Sequence, residues 1–159
     1  MELKLQLKGL MQSYGGENPW TATRRTNRQP TDTAIQGIVE CAMGIARKGT
    51  YEEDDMKREA LWNHVQIHIP DIDHAPEIII DDQTVHPLTD DMYFQCAGGG
   101  KMSTGMPQIR KEYLVGENYT VILKGDDDYI KDIRYHLLHP IYPYSLGRAC
   151  CIPSAPLVM

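Results

Sequence analysis

MELKLQLKGLMQSYGGENPWTATRRTNRQPTDTAIQGIVECAMGIAR, residues 1–47, decides how the chain is read. Leu3, Leu5 and Leu7 alternate with Lys4, Gln6 and Lys8. That period of two is the mark of a half-buried strand. Tyr14, Gly15, Gly16, Pro19 and Trp20 break the alternation, and Arg24, Arg25 and Arg28 follow before Pro30. This stretch reads as a long arginine-bearing loop. Thr31 or Asp32 then caps a helix whose apolar positions are Ile35, Ile38, Val39, Ala42 and Met43. Those positions fall on one helical face. The rest of the chain is expected to build onto this strand–loop–helix unit.

Working outward, Gly49 is a candidate terminator for the first helix, and Glu52–Trp62 predicts a short second one. Glu52, Glu53, Asp54 and Asp55 suit its positive N-terminal end and otherwise read as a solvated face. HVQIHIP, residues 64–70, alternates as a strand, and 71–76 turns. Glu77–Ile80 begins a further strand, with a second turn at Asp81–Gln83. Residues 86–108 lack periodicity and contain Gly98, Gly99 and Gly100, which predicts a projecting loop or hairpin. Ile109–Val115 and Tyr119–Lys124 predict two strands, expected to form a hairpin about Gly116-Glu117-Asn118. Asp126–Asp128 opens a helix with an Ile130, Ile133, Leu137 stripe, and Pro140 ends it. In the tail, 139–159, Gly147 permits a tight turn or a close backbone approach and Arg148 follows at once. The order approximates βαββαβ. The fold class expected is therefore α+β, a ferredoxin-like antiparallel sheet with two helices, in one domain over 1–159.

Sixteen Lys and Arg against 22 Asp and Glu give a net charge of −6. That excludes a chain coated in positive charge, but not a local cationic groove. No run of 18 apolar residues marks a membrane span, and the N-terminus lacks the apolar core of a signal peptide. Cys41, Cys96, Cys150 and Cys151 form no CxxC pair, which suits a reducing cytoplasm.

Arginine pairs bidentately with phosphate and stacks on bases, so Arg24, Arg25, Arg28, Arg110 and Arg148, with Lys111, suit either RNA or scattered surface ion pairs with the acidic runs. Tyr14, Trp20, Tyr113 and Tyr144 are stacking or packing candidates. Metal-free RNA cleavage would need a general acid and base, for which His64, His68, His74, His86, His136 and His139 are available. His64, His68 and His74 are also the closest approach to a metal set, while adjacent Cys150 and Cys151 suit one tetrahedral ion poorly. An interaction protein without RNA contact stands as a further class.

Three stretches in order carry a resemblance. They are LKGLMQSYG at 7–15 with TRRTNRQPTDTAIQGIVECAMGI at 23–45, RKEYLVGENYTVIL at 110–123, and HPIYPYSLGRACC at 139–151. Together they resemble the CasD subunits of type I-E Cascade complexes, within the RAMP superfamily of CRISPR-associated proteins. The resemblance implies a non-catalytic scaffold that holds the 5′ handle of the CRISPR RNA and docks a backbone subunit with a thumb-like projection. The partners it implies are CRISPR RNA, the backbone, large and other Cascade subunits, and target DNA indirectly. It implies neither cofactor nor metal. A related branch cuts precursor RNA without metal, which is the alternative activity. The family pattern assigns RNA contacts to Gln12 and Tyr14 at the end of the first strand, and to Arg24, Arg25 and Arg28 in the loop. It adds Lys101 in the thumb, Arg110 and Lys111 on the later strand, and Arg148 in the tail. The chain departs from the pattern at Ala149 and Cys150, where relatives carry Arg and Ser, and at Met159, beyond which many continue into a further sheet.

Overall fold

A computed structural model describes residues 1–15, 23–84, 99–101 and 108–158. In chain order the elements are β1 (Glu2–Lys8), β2 (Met11–Gln12), β3 (Tyr14–Gly15), β4 (Thr23–Arg24), β5 (Thr26–Asn27), α1 (Asp32–Met43), α2 (Glu52–His64), β6 (Val65–His68), β7 (Ile78–Thr84), β8 (Gln108–Val115), β9 (Asn118–Gly125) and α3 (Asp127–Leu138). The architecture is α+β. One sheet has the order β1-β9-β6, antiparallel throughout. Against the free edge of β1, Leu5 bridges Val158, and the Gln6 amide donates to the Leu157 carbonyl at 2.8 Å.

The β1 alternation works as expected: Leu3, Leu5 and Leu7 are buried beneath α1 and α3, beside Tyr119, Val121 and Leu123 of β9. Ile35, Ile38, Val39 and Ala42 from α1, and Ile130, Ile133 and Leu137 from α3, complete one core. Each buried Leu, Ile or Val among these contributes roughly 1.5–3 kcal/mol. Thr31 caps α1, its Oγ1 accepting from the Ala34 amide at 3.3 Å. The helix ends at Gly44 rather than near Gly49. Gly44 has φ +73°, and a Cβ there would meet Ile141 Cδ1 at 2.9 Å. Gly49 instead donates its amide to the Asp55 carboxylate at 2.9 Å.

The expected hairpin between 109–115 and 119–124 does not form. Glu2 pairs with Lys124 and Lys8 with Asn118, while Met11 pairs with Val115 and Gln12 with Leu114. The paired numbers sum to the same value before and after the interruption. β8 and β9 therefore run end to end as one interrupted strand, and β1 with β2 forms its partner. The interruptions, Gly9–Leu10 and Gly116–Glu117, face each other, and the Gly116 amide still donates to the Leu10 carbonyl at 3.1 Å. Gly116 has φ +69°, a conformation that glycine adopts without penalty. The sequence pattern misled because a glycine-bearing interruption of one strand reads like a turn between two.

The expected turn at Asp81–Gln83 is also strand. β7 pairs antiparallel with β8 over Ile78–Thr84, where Asp82 and Gln83 find cross-strand partners. Asp82 accepts from Arg110 Nε at 2.6 Å, and Gln83 from Lys111 Nζ at 3.2 Å. β7 and β8 thus form a hairpin that flanks the segment expected to project. Of the expected projection, 86–98 and 102–107 lie outside the described residues. Along the opposite edge of β8 lie β2 and then β4, the latter parallel. An all-antiparallel sheet was expected; the return of the chain at 23–24 beside β8 makes this one mixed.

A third helix, α2, was expected as an insertion, and its acidic start does more than face solvent. Asp54 accepts from the Ala46 amide at 3.0 Å. Arg58 donates from Nε to Glu40 at 3.0 Å and also reaches Asp55 and the Ala46 carbonyl. Trp62 Nε1 donates to the other Glu40 oxygen at 2.8 Å. Only Leu61 of α2 is fully buried, so Glu40 is the main polar tie between α2 and α1. Glu40→Ala leaves the half-buried Arg58 short of a partner and is expected to cost about 2 kcal/mol in urea unfolding. A cost below about 0.5 kcal/mol would mean that the ties are solvated surface pairs.

His74 sits in an exposed brace at the strand interruption, with Nε2 2.9 Å from Glu117 and Nδ1 3.3 Å from Asp73. The Glu117 hydrogen bond, then that of Asp73, raises its pKa above the ordinary 6.5. The folded chain therefore holds this proton more tightly than the unfolded chain. The added stability is complete below the unfolded value and is lost as pH rises through the folded one. The difference in Tm between the native chain and His74→Gln should be larger at about pH 5.5 than at about pH 8.5. Equal differences at both would remove His74 from the account.

Candidate nucleic-acid interface

The arginine segment is fastened from beneath. Tyr14 and Gly15 pair antiparallel with Asn27 and Thr26. The Tyr14 amide donates to Thr26 Oγ1 at 2.8 Å, and the Thr26 amide donates to the Glu112 carboxylate at 3.2 Å. Thr23 and Arg24 lie in register with Arg110 and Lys111. The Arg28 carbonyl accepts from the Tyr119 hydroxyl at 2.5 Å. Arg24, Arg25 and Arg28 are exposed on this backbone. Among the described residues, no carboxylate lies within ion-pair distance of any of them.

The tail closes over the same place. The Ser13 amide donates to the Leu146 carbonyl at 3.0 Å. Gly147 has φ +102°, and a Cβ there would lie 1.6 Å from the Ser13 carbonyl oxygen. Arg148 donates to the Glu112 carbonyl at 2.8 Å and the Arg24 carbonyl at 3.0 Å, with its guanidinium 4.8 Å from the Tyr113 ring centre. Burial raises the Tyr113 phenol pKa, aided by the Cys150 thiol beside it and opposed by Arg148. Burial, then Cys150, pushes the Cys151 thiol up to about 11, so it stays protonated and packs as an apolar group.

Ser13–Gly15, Thr31, Thr33, Ala34 and Gly147–Arg148 line an open groove of about 540 Å³. It runs past the N-terminal end of α1, where helix amides favour an anion. A second groove, of about 560 Å³, continues along α1 to Tyr142–Ser145.

The sequence-derived residues divide. Arg24, Arg25 and Arg28 share one exposed segment, with Arg110 and Lys111 on the strand beside it. Arg110 is paired with Asp82, so its charge is partly answered. Lys101 is exposed in the described fragment 99–101. Gln12 and Tyr14 do not face a ligand: both are fully buried. Gln12 Nε2 donates to the Glu117 and Leu7 carbonyls at 2.6 and 3.2 Å, and its Oε1 accepts from the Tyr14 hydroxyl at 2.6 Å. Burial drives the Tyr14 phenol pKa far above its ordinary value. Arg148 is half-buried and spent largely on carbonyls and an aromatic face, so it shapes the groove more than it offers charge. Sequence reasoning missed Thr26 and Glu112, which fasten the arginines. Neither lies in a pattern that distinguishes it from ordinary strand residues. Of the described histidines, His64 pairs with Asp126, His74 with Glu117 and His136 with Asp132, His139 stacks on Tyr135, and His68 is exposed on β6; His86 lies outside the described residues.

Residues 2–159 match the model of the family described as CRISPR-associated protein (Cas_Cas5). The chain belongs to this Cas5 family. It is 28% identical over 165 residues to the CRISPR system Cascade subunit CasD of Escherichia coli (strain K12), across 99% of this chain and 69% of that protein. In fold it is similar to a chain of a CRISPR RNA-guided surveillance complex, with TM-score 0.77 and 22% identity over 99% of its length. It spans 62% of the length of that chain. A second Cas protein crystal structure matches with TM-score 0.63 and 20% identity, over 100% of this chain and 63% of that one.

For this Cas5 member, Gly147→Ala forces a methyl group into the Ser13 carbonyl and should cost about 3 kcal/mol on thermal or urea unfolding. Gly15→Ala, whose Cβ meets nothing within 4 Å, should stay within about 0.5 kcal/mol. Similar losses at both positions would show that the Gly147 contact does not hold the tail.

Proposed function

We propose that the chain is a non-catalytic, RNA-binding subunit of a Cascade-type CRISPR surveillance complex, serving RNA-guided defence in the cytoplasm. Its arginine segment and groove hold the 5′ handle of the CRISPR RNA, and its β7–β8 hairpin docks a neighbouring backbone subunit. Target DNA is engaged indirectly, through the complex. The observation that carries this reading is the segment Arg24–Arg28: three exposed guanidinium groups on a fastened backbone, without carboxylate partners among the described residues, in a chain of net charge −6. An RNA held on a fixed path needs cations at fixed positions, and uncompensated arginine supplies both phosphate pairing and stacking.

The strand order β1-β9-β6, with Leu157–Val158 against the open edge of β1, supports a ferredoxin-like RAMP sheet whose fourth strand is short. Three of the five described histidines, His64, His74 and His136, are held by carboxylates at separate places in the fold, which favours the scaffold over metal-independent cleavage. Among the described residues no helix is long and apolar enough to cross a membrane.

Arg28→Glu should weaken retention of handle RNA about tenfold, the scale of one charge-assisted hydrogen bond. Lys57→Glu, on α2 beside Glu53 and Asp54, should leave retention unchanged. The measurement is binding of labelled repeat RNA by purified variants over a range of salt, followed by a denaturing gel of the same samples. Equal effects at the two positions would overturn the site, and metal-free cutting of the repeat would overturn the non-catalytic reading.

A further inference from the structure

The interrupted strands and the arginine segment are joined beneath the surface by one amide and two phenols. Gln12 has no exposed surface. Its Nε2 spans the interruption, donating to Leu7 on β1 and to Glu117 between β8 and β9. Its Oε1 accepts from Tyr14, whose ring meets the edge of Tyr119 with centres 6.1 Å apart and planes at 81°. Tyr119 in turn donates to the Arg28 carbonyl. The same Tyr14 is tied through its amide to Thr26, in the middle of the arginine segment. Both acceptors of the Gln12 amide are backbone carbonyls, so what the network fixes is the position of backbone.

A methionine would fill the same space without burying an amide. Polar groups in a core add little net stability, but a fully satisfied set admits few geometries. Here the amide is satisfied at both donors and at its acceptor. The elements it ties are the core sheet, the base of the hairpin and the arginine segment.

We propose that Gln12 is a positioning residue for the RNA-binding face: through the strand interruption and the Tyr14–Tyr119 pair it locks the Arg24–Arg28 backbone and the hairpin base to the core sheet. This rests on the RNA-binding reading above for its functional consequence, though not for the mechanical coupling itself. Loss of the amide frees the Glu117 carbonyl and the Tyr14 hydroxyl together, so the arginine segment and the hairpin base loosen as a unit while the helices stay packed.

The test compares the native chain with Gln12→Met, Tyr14→Phe and, as a control on the far helix, Trp62→Phe. Amide hydrogen exchange is followed by mass spectrometry at a temperature where circular dichroism shows every variant folded. Repeat RNA binding is measured against salt on the same samples. Gln12→Met and Tyr14→Phe should speed exchange across 23–28 and 112–118 by about tenfold, as loss of one hydrogen bond implies, with α1 and α3 unchanged. Their slopes of log affinity against log salt should be shallower by about one phosphate contact, a change that lost stability alone does not produce below the unfolding transition. Trp62→Phe should do neither. Exchange that rises equally in α1 and α3, or not at all in 23–28, would overturn the proposal. Should Gln12→Met fail to fold, Tyr14→Phe, which removes a single hydroxyl, decides alone. Should the native chain bind no RNA, the functional reading falls and the exchange arm still decides the coupling.

Discussion

Residues 2–12 pair with residues 114–124 in a single register that survives an interruption in both strands. That constraint orders everything else. It sends the leucines of β1 and the alternate residues of β9 into one core, beneath two helices. It also carries β8 beyond the core, where β7 pairs with it on one edge and β2 and β4 on the other. The arginine segment lies beside the hairpin because Thr23 and Arg24 pair with β8 and Thr26 and Asn27 with the end of the first strand run.

Arginine serves two purposes in this molecule, and burial separates them. Arg58 and Arg148 are partly covered and spend their donors on carbonyls and carboxylates, where the planar fork ties together separate segments of chain. Arg24, Arg25 and Arg28 keep their guanidinium groups in solvent while Thr26, Glu112 and Tyr119 secure the chain that bears them. A cation on a secured backbone loses less freedom on binding an anion than one on a loose loop. A net negative chain can thus present a local positive face, its acidic runs being engaged at α2 and along β7.

Much of this was legible from local pattern. The period of two in β1, the helical stripe from Ile35 to Met43 and the stripe from Ile130 to Leu137 each report a face that must be buried, and each is buried. Gly147 was legible as a tight turn or a close backbone approach, although the sequence could not say which, that Ser13 is what it approaches, or that Arg148 beside it turns to carbonyls. What local pattern could not carry was pairing. Gly116-Glu117-Asn118 has the composition of a turn, and only its partner strand distinguishes an interruption from a reversal. Asp81, Asp82 and Gln83 likewise looked like a turn because their partners Arg110 and Lys111 lie far along the chain. Gln12 and Tyr14 were legible as a motif but not as interior groups, since polarity in a short strand says nothing of which way it is covered.

The shared register also acts as a counting rule for the chain. Side chains alternate faces along a strand, so adding or removing one residue at Gly116–Glu117 would exchange the faces of Tyr113 and Leu114 and of every hairpin residue beyond them. A compensating change at Gly9–Leu10 would restore the count.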